Sequence, residues 1–427
     1  MTQHLKPLHN RFVFFLPMAA LFLLALMPAS QSFAQTFYYN VTSYGANGND
    51  KKDDTSAIQK ALDEAVEGTN IVVQIPSGTY YISKTLYIQS NTTLKLSSDA
   101  KIVRSDSALS KNMLRTTDGS HVSSGYGGYS LAHDITVTGG TWDGGNINKA
   151  KSTSNLIYMG HSSNITISNT TIKNCYGAHA IEFAGIQNGT VKNCKISGFR
   201  YGSDSYTSEA IQIDVCYKSG STNWTPGFST DKTACRNIVI EKNTITDYPR
   251  GVGSHHVLNG HYSQNITIRN NKFLRSSAST QGKCMVGVFL MGVSHANISN
   301  NTVDHYYYGI MIKKSNYLTV RNNRLKYNPS GGVIFESCDR KNAKQMFLVT
   351  KDDINKKNFQ FTCTGIKKGN IKTNGKTYKF TSKNGKVKLR LSKKIKANQQ
   401  VNFYGCDSTG NKYYRIYYVP NKKKSKS

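Results

Sequence analysis

Acidic side chains are scarce in this 427-residue sequence: 24 Asp and Glu stand against 55 Lys and Arg. Proline (8) and tryptophan (2) are rare too, and helical periodicity is thin. Thr, Asn, Ser, Tyr, Ile and Val crowd the middle of the chain instead, which argues against a helix-rich enzyme. No run after Leu26 is apolar for long enough to span a bilayer. No His-x-x-x-His, Cys-x-x-Cys or EF-hand loop occurs, so the usual local metal motifs are excluded. What is present is length and aromatic content, with 26 Tyr and 11% aromatic residues. That suffices for one large or two moderate cores and excludes a mostly disordered chain or a small disulfide scaffold.

The first 34 residues read as an export signal. Lys6 and Arg11 supply the positive start, Phe12 to Leu26 is a short apolar run, and Ser32-Phe33-Ala34 offers small residues for cleavage after Ala34. The mature chain is therefore expected to be secreted, soluble, without a membrane span, and monomeric. Its charge is uneven: residues 348–427 hold 21 Lys/Arg against 3 Asp/Glu, while residues 35–347 hold 32 against 21. A basic tail on an exported protein predicts an anionic partner such as cell-wall polymer, solubility alone being the plainer alternative. Nucleic acid is not an expected partner, because the chain is exported and carries no nucleic-acid-binding module. Eight cysteines permit disulfides in that setting. Cys216–Cys235 and Cys363–Cys406 are the expected pairs; Cys175, Cys194, Cys284 and Cys338 fall in repeat positions and read as buried thiols.

The strongest pattern is internal self-similarity. Val137–Trp142, Ile167–Ile172, Val191–Ile196, Ile240–Ile245, Ile268–Phe273, Ile298–Val303 and Val320–Leu325 each begin and end apolar around a polar, mostly Asn-rich turn. They are spaced 30, 24, 49, 28, 30 and 22 residues apart, the 49 containing an insertion between Cys216 and Cys235. Short apolar β segments at that period describe a solenoid of stacked coils. Leucine-rich repeats share the period, but their Leu-x-x-Leu-x-Leu pattern is absent, so the reading is a right-handed parallel β-helix. The Asn column (Asn243, Asn271, Asn301, Asn323) suits tight left-handed turns and amide stacking from coil to coil.

The entry to the solenoid, Val41-Thr-Ser-Tyr-Gly-Ala, then Asp53-Asp-Thr, then Ala57-Ile-Gln-Lys-Ala, and later Ile75-Pro-Ser-Gly-Thr-Tyr80, resembles the opening of the pectate-lyase-like β-helix superfamily. That resemblance covers about residues 36–347. It implies a carbohydrate-directed solenoid and leaves the chemistry open among polygalacturonases, rhamnogalacturonases, uronan lyases, epimerases and phage tailspikes. Asp54 or Thr55 is expected to cap a helix whose apolar positions Ile58, Leu62 and Ala65 close the open end of the stack.

Strands following the Asn turns align as well: Ala180–Ala184, Ala210–Asp214, Gly251–His255, Gly287–Met291, Gly309–Lys313 and Gly332–Glu336. Alternation turns Ile181, Phe183, Ile211, Ile213, Val252, Val288 and Ile310 inward. Glu182, Gln212, Asp214, His255, Lys313 and Glu336 then share one exposed outer wall. Carboxylates and an imidazole on one wall are the tools of glycoside cleavage, which needs an acid for the leaving oxygen and a base or nucleophile opposite. Asp214, His255, Glu182 and Glu209 are the candidate catalytic residues. Lys313, Arg250, His256, Gln212, Asp204 and Tyr307 are the candidate substrate contacts, the cations for an acidic sugar and the tyrosine for stacking on a ring.

This stretch also partly resembles the polygalacturonase family, whose site is carried by an Asp strand followed by an Asp pair, a Gly-His-Gly and an Arg-x-Lys. Gln212-Ile213-Asp214, Gly253-Ser254-His255-His256 and Gly309-Ile-Met-Ile-Lys313 stand near those motifs. The Asp pair is missing, His255 is not followed by Gly, and Met311 holds the Arg position. The expected activity is therefore a polysaccharide glycoside hydrolase with its own substrate. The alternatives are a uronan lyase or C5-epimerase, and a non-catalytic glycan-binding adhesin. No cofactor is expected for a hydrolase; the resemblance implies calcium only for a lyase.

Beyond Met346 the pattern becomes Lys-rich alternation with hairpin signals at Asn374-Gly375 and Asn384-Gly385. Residues 348–421 read as a small β-sandwich resembling the Ig-like modules of bacterial surface proteins, and residues 422–427 as a disordered basic tail.

Overall fold

The computed structural model describes residues 35–109, 111–117, 127–202, 207–217, 230–254, 256–258, 260–276, 285–338, 347, 357–396, 399–408, 410 and 412–418. The chain divides into Met1–Gln35 and a compact unit Thr36–Ser427, to which everything below refers. No helix among the described residues is long and apolar enough to cross a membrane.

Short strands stack rung on rung into a right-handed parallel β-helix. Six of the seven repeat blocks pair with their predecessors in the register the spacing predicts. Val137 lies beside Ile167, Ile167 beside Val191, Val191 beside Ile240, Ile240 beside Ile268, Ile268 beside Ile298, and Ile298 beside Val320. The far ends follow, from Trp142 beside Ile172 to Val303 beside Leu325. The 49-residue spacing thus leaves the register unbroken. These apolar ends are fully buried and form the continuous core.

In three of the ladder's turns two asparagines divide the work. The first residue of the pair adopts the left-handed backbone: Asn270, Asn300 and Asn322 have φ of 58°, 57° and 56°. The second turns inward. Asn243 Nδ2 donates to Asn271 Oδ1, Asn271 Nδ2 to Asn301 Oδ1 and Asn301 Nδ2 to Asn323 Oδ1, each at 3.0 Å. Each Oδ1 also accepts the main-chain N–H one coil back, and each Nδ2 also reaches a core-strand carbonyl such as Ile240 O at 2.9 Å. The expected column is therefore a fully paired ladder, but the left-handed turn belongs to its neighbour. A second, exposed ladder runs along Asn164, Asn188, Asn237 and Asn265, with amide spacings of 2.9 Å.

The helix Thr55–Leu62 buries Ile58, Ala61 and Leu62 over the first coils, with Ala65 lying past its end. Its N-terminal cap comes from a different residue than expected. Asp53 Oδ1 accepts the Thr55 N–H at 3.1 Å, while the Asp54 carboxylate turns to the Asn47 and Tyr81 N–H groups at 2.7 and 3.1 Å. Asp54 thereby ties the cap segment to the coils instead of to the helix.

Beyond the solenoid, hairpins turn at Asn374-Gly375 and Asn384-Gly385, all four residues at positive φ. Strands Lys368–Thr373, Lys376–Thr381, Gln400–Cys406 and Lys412–Tyr418 make one antiparallel sheet; Asn358–Thr362 and Lys386–Arg390 make a second. Phe347, Phe359, Phe361, Phe380 and Phe403 pack against one another in their core. Lys412–Tyr418 also pairs in parallel with Arg324–Lys326, so the module continues a face of the solenoid across its last coil. Arg415 is buried at this junction and donates to the main-chain oxygens of Phe347 and Asn328. Burial pulls its guanidinium down to about 10.

Neither expected disulfide forms: Cys216, Cys235, Cys363 and Cys406 are free thiols. Cys235 Sγ lies 3.3 Å from the carbonyls of Phe183 and Asp214, where burial pushes its thiol up to about 12. It serves as a small buried side chain beneath the wall, as Cys175 and Cys194 do in the repeat. Cys284 lies outside the described residues.

The buried ladder should dominate local stability. Asn271→Ala strands an inward N–H and an amide of Asn243, each costing about 1–3 kcal/mol, so a loss of about 3 kcal/mol is expected. Asn265→Ala in the exposed ladder should cost under about 1 kcal/mol. Urea unfolding of the two variants checks the difference; equal losses would contradict it.

Candidate functional site

All six wall strands take the aligned register. Glu182 lies beside Gln212 and Ala184 beside Asp214; Gln212 lies beside Gly253, Gly253 beside Phe289, Phe289 beside Met311 and Met311 beside Ile334. The same column extends back through Tyr158 and Arg115 to Tyr87. The next column carries Ala184 beside Asp214 and, higher up, Met291, Lys313 and Glu336. The inward residues Ile181, Phe183, Ile211, Ile213, Val252, Val288 and Ile310 are all fully buried.

The wall is not exposed where its acids stand. Glu182, Glu209 and Asp214 are 1%, 0% and 2% exposed, and Gln212 is equally buried. Projecting away from the coil interior does not put these side chains in solvent. Each is held by groups of the chain. Glu182 Oε2 accepts from Asn155 Nδ2. Asp214 Oδ1 accepts the Val215 N–H at 2.8 Å, and its Oδ2 lies 3.4 Å from Gln212 Nε2. Glu209 Oε1 pairs with Arg250 at 2.9 Å, and its Oε2 stands 3.5 Å from His179 Nδ1. That Nδ1 is 3.1 Å from the Glu209 N–H and 3.0 Å from its carbonyl, serving one or the other according to tautomer.

Arg250 sits above Glu209 on the adjacent rung and lays its guanidinium over the Phe289 ring, 3.9 Å from the centroid. Gly253 makes room for this arrangement. A Cβ there would stand 2.8 Å from Glu209 Cγ and 2.6 Å from the Phe289 carbonyl. Val286, Phe289, Met311 and Ile334 continue the wall as a separate apolar patch. Lys313 and Glu336 close its far end as an ion pair at 2.7 Å.

The structure thus gathers Glu182, Glu209, Gln212, Asp214 and Arg250, and places Lys313 on the same wall but beyond the apolar patch. His256 packs its ring against Tyr217 at 4.4 Å, off the wall strands. Tyr307 is exposed just ahead of the strand Tyr308–Lys313, and its neighbour Tyr308 takes the position in the Arg250 column. His255 and Asp204 lie outside the described residues. Sequence reading missed His179 and Asn155, which sit in loops ahead of the aligned strands. It also missed Phe289, although the alignment already put Phe289 in the column of Glu182 and Gln212.

The fold is a right-handed parallel β-helix, and parts of the chain match models of families with that fold. Residues 38–118 match the family model "Rhamnogalacturonase A/epimerase, pectate lyase-like", and residues 133–277 match "Right handed beta helix region". Residues 214–357 match "Periplasmic copper-binding protein (NosD)". Among the described residues there is no group of three or more His, Cys, Asp or Glu side chains that could hold a metal ion.

Among curated proteins, the chain is similar to plasmin and fibronectin-binding protein A of Streptococcus pneumoniae, 28% identical over 344 residues. The match takes in 73% of this chain and 44% of the relative, so the chain spans less than half of that protein's length. Among solved structures, the S. pneumoniae surface protein and adhesin PfbA superposes with a TM-score of 0.54 at 21% identity, covering 71% of this chain and 95% of that one. An exopolygalacturonase of Thermotoga maritima superposes with a TM-score of 0.50 at 12% identity, covering 74% and 78%. At these identities the structures establish the fold alone.

Arg250 neutralises a fully buried carboxylate. Arg250→Met should therefore cost about 3 kcal/mol or more, because it takes the guanidinium away from a fully buried carboxylate, and adding Glu209→Gln should recover most of that loss. Thermal and urea unfolding of the single and double variants measure it. A double variant weaker than Arg250→Met alone would show that the pair is not what holds this part of the wall.

Proposed function

We propose that this protein is a secreted or wall-associated β-helix adhesin that binds polysaccharide along its wall without cleaving it. The observation that carries this reading is the state of the wall's acids. A hydrolase must bring one carboxyl to the leaving oxygen and another to the opposite face of the sugar. Here Glu182, Glu209 and Asp214 are each shielded and held by a partner from the chain itself. Arg250 neutralises Glu209, and beside these acids Phe289, Met311 and Ile334 form a closely packed apolar stretch of the same wall. The similarity to a pneumococcal plasmin and fibronectin-binding protein supports adhesion in the same direction. In this reading residues 1–34 direct export and residues 348–421 form an Ig-like attachment module.

A second reading, glycoside hydrolysis, has one observation in its favour. Glu182 and Asp214 stand a rung and two residues apart, roughly 8 Å between Cα atoms. A Cα spacing of that size is compatible with the about 6.5–9.5 Å between carboxyl groups that inverting hydrolysis uses. In this reading Glu209 and His255 would orient the pair while Arg250 and Lys313 met an acidic sugar.

One experiment separates the two readings. The chain and its Asp214→Asn and Glu182→Gln variants are incubated with a panel of pectic and other acidic polysaccharides, and binding, reducing ends and unsaturated products are measured. Adhesion predicts retained polysaccharide with no product from any of the three proteins. New reducing ends from the parent chain that vanish in Asp214→Asn would overturn it in favour of hydrolysis.

A further inference from the structure

An open groove of about 760 Å³ crosses the terminal sheet where it meets the last coil at Asn322. Two cross-strand rows line it. Lys379, Asn370, Tyr404 and Tyr414 are successive neighbours across four strands, and Lys368 and Lys412 flank Cys406 in the row beside them. The alternate residues Ile371, Phe380, Phe403 and Tyr413 turn the other way into the aromatic core, which fixes the face these side chains present.

The groove combines two features. Tyr404 and Tyr414 form an aromatic pair with centroids 4.5 Å apart, and Tyr404 is 38% exposed. Around them stand three exposed ammonium groups, none ion-paired with a described carboxylate. Asp407, the one described acid of the module, is buried and accepts the Tyr413 hydroxyl at 2.9 Å. Among the described residues the field in the groove is thus positive. An aromatic platform takes the apolar face of a sugar ring, an amide such as Asn370 bonds to hydroxyls, and lysines attract a carboxylate or phosphate as point charges.

We propose that this groove is a binding site for acidic polysaccharide, separate from the β-helix wall. One sugar ring stacks on Tyr404 and Tyr414, and its anionic substituent is met by Lys368, Lys379 and Lys412. The site stands whichever reading of the wall holds, because it shares no residue with it.

The test is titration calorimetry of the full mature chain at about 0.15 M salt, where long-range surface attraction is largely screened. The probes are polygalacturonate, which carries carboxylates, phosphomannan, which carries phosphates, and neutral dextran. Binding to either acidic polymer but not to dextran is expected, and the preferred polymer identifies the anion. K368Q/K379Q/K412Q and Y404A/Y414A should each weaken binding about tenfold, whereas Y404F/Y414F, which keeps the rings, should retain it. K386Q/K388Q/K393Q, equal in charge loss but outside the groove, should change it less than about twofold. The proposal is overturned if neither acidic polymer binds, if the outside triple variant weakens binding as much as the groove triple, or if removing both rings has no effect.

Discussion

A buried amide must find partners for both its donor and its acceptor, and in this chain those partners lie one coil away. Asn243, Asn271 and Asn301 each close their own turn only when the next coil arrives in register. Hydrophobic stacking of Ile, Val and Phe alone tolerates some slippage along a strand; a paired amide column does not. Everything on the outer surface inherits that register. Residues tens of positions apart in sequence become neighbours because the turns beneath them are locked together.

The wall shows what this precision is used for. Along one column the side chains change from Tyr158, Glu182 and Gln212 to Phe289, Met311 and Ile334, with Gly253 at the boundary. The change is sharp because Gly253 leaves space for Glu209, and Arg250 bridges the two halves by pairing with Glu209 while covering Phe289. A fully buried carboxylate is stable only with such compensation. The module at the far end follows the same logic of closure. Lys412–Tyr418 covers a sheet edge that would otherwise be open, and the buried Arg415 satisfies main-chain oxygens at the junction.

The register of the coils and the inward-facing residues were legible in the sequence because both follow from local rules: alternation along a strand and the spacing of Asn turns. The membership of Glu182, Gln212, Asp214 and Lys313 in one wall followed from the same rules. Their burial did not, because whether an outward residue meets solvent depends on neighbouring columns and loops that carry no repeat. His179 and Asn155 escaped for that reason, since they precede the aligned strands. The free state of Cys216 and Cys235 was hidden because spacing says nothing about where a sulfur points. The junction strand was equally hidden: nothing in Lys412–Tyr418 distinguishes a strand that ends a sandwich from one that extends a solenoid.

The wall exists only if distant segments lie rung over rung, and the pairing that crosses the insertion spans the longest stretch of sequence between neighbouring repeat blocks. Thr190 and Val239 are 49 residues apart in sequence and are direct register partners on the outer surface. Neighbouring strands bring Cα atoms to about 4.8 Å, within the range of about 4.4–6.8 Å that a disulfide requires. Mild oxidation of T190C/V239C should give a cross-link, seen as a mobility shift reversed by reductant, while T190C/E241C, offset by two residues, should not. A cross-link in the offset pair and none in the registered pair would show that the coils do not stack as described.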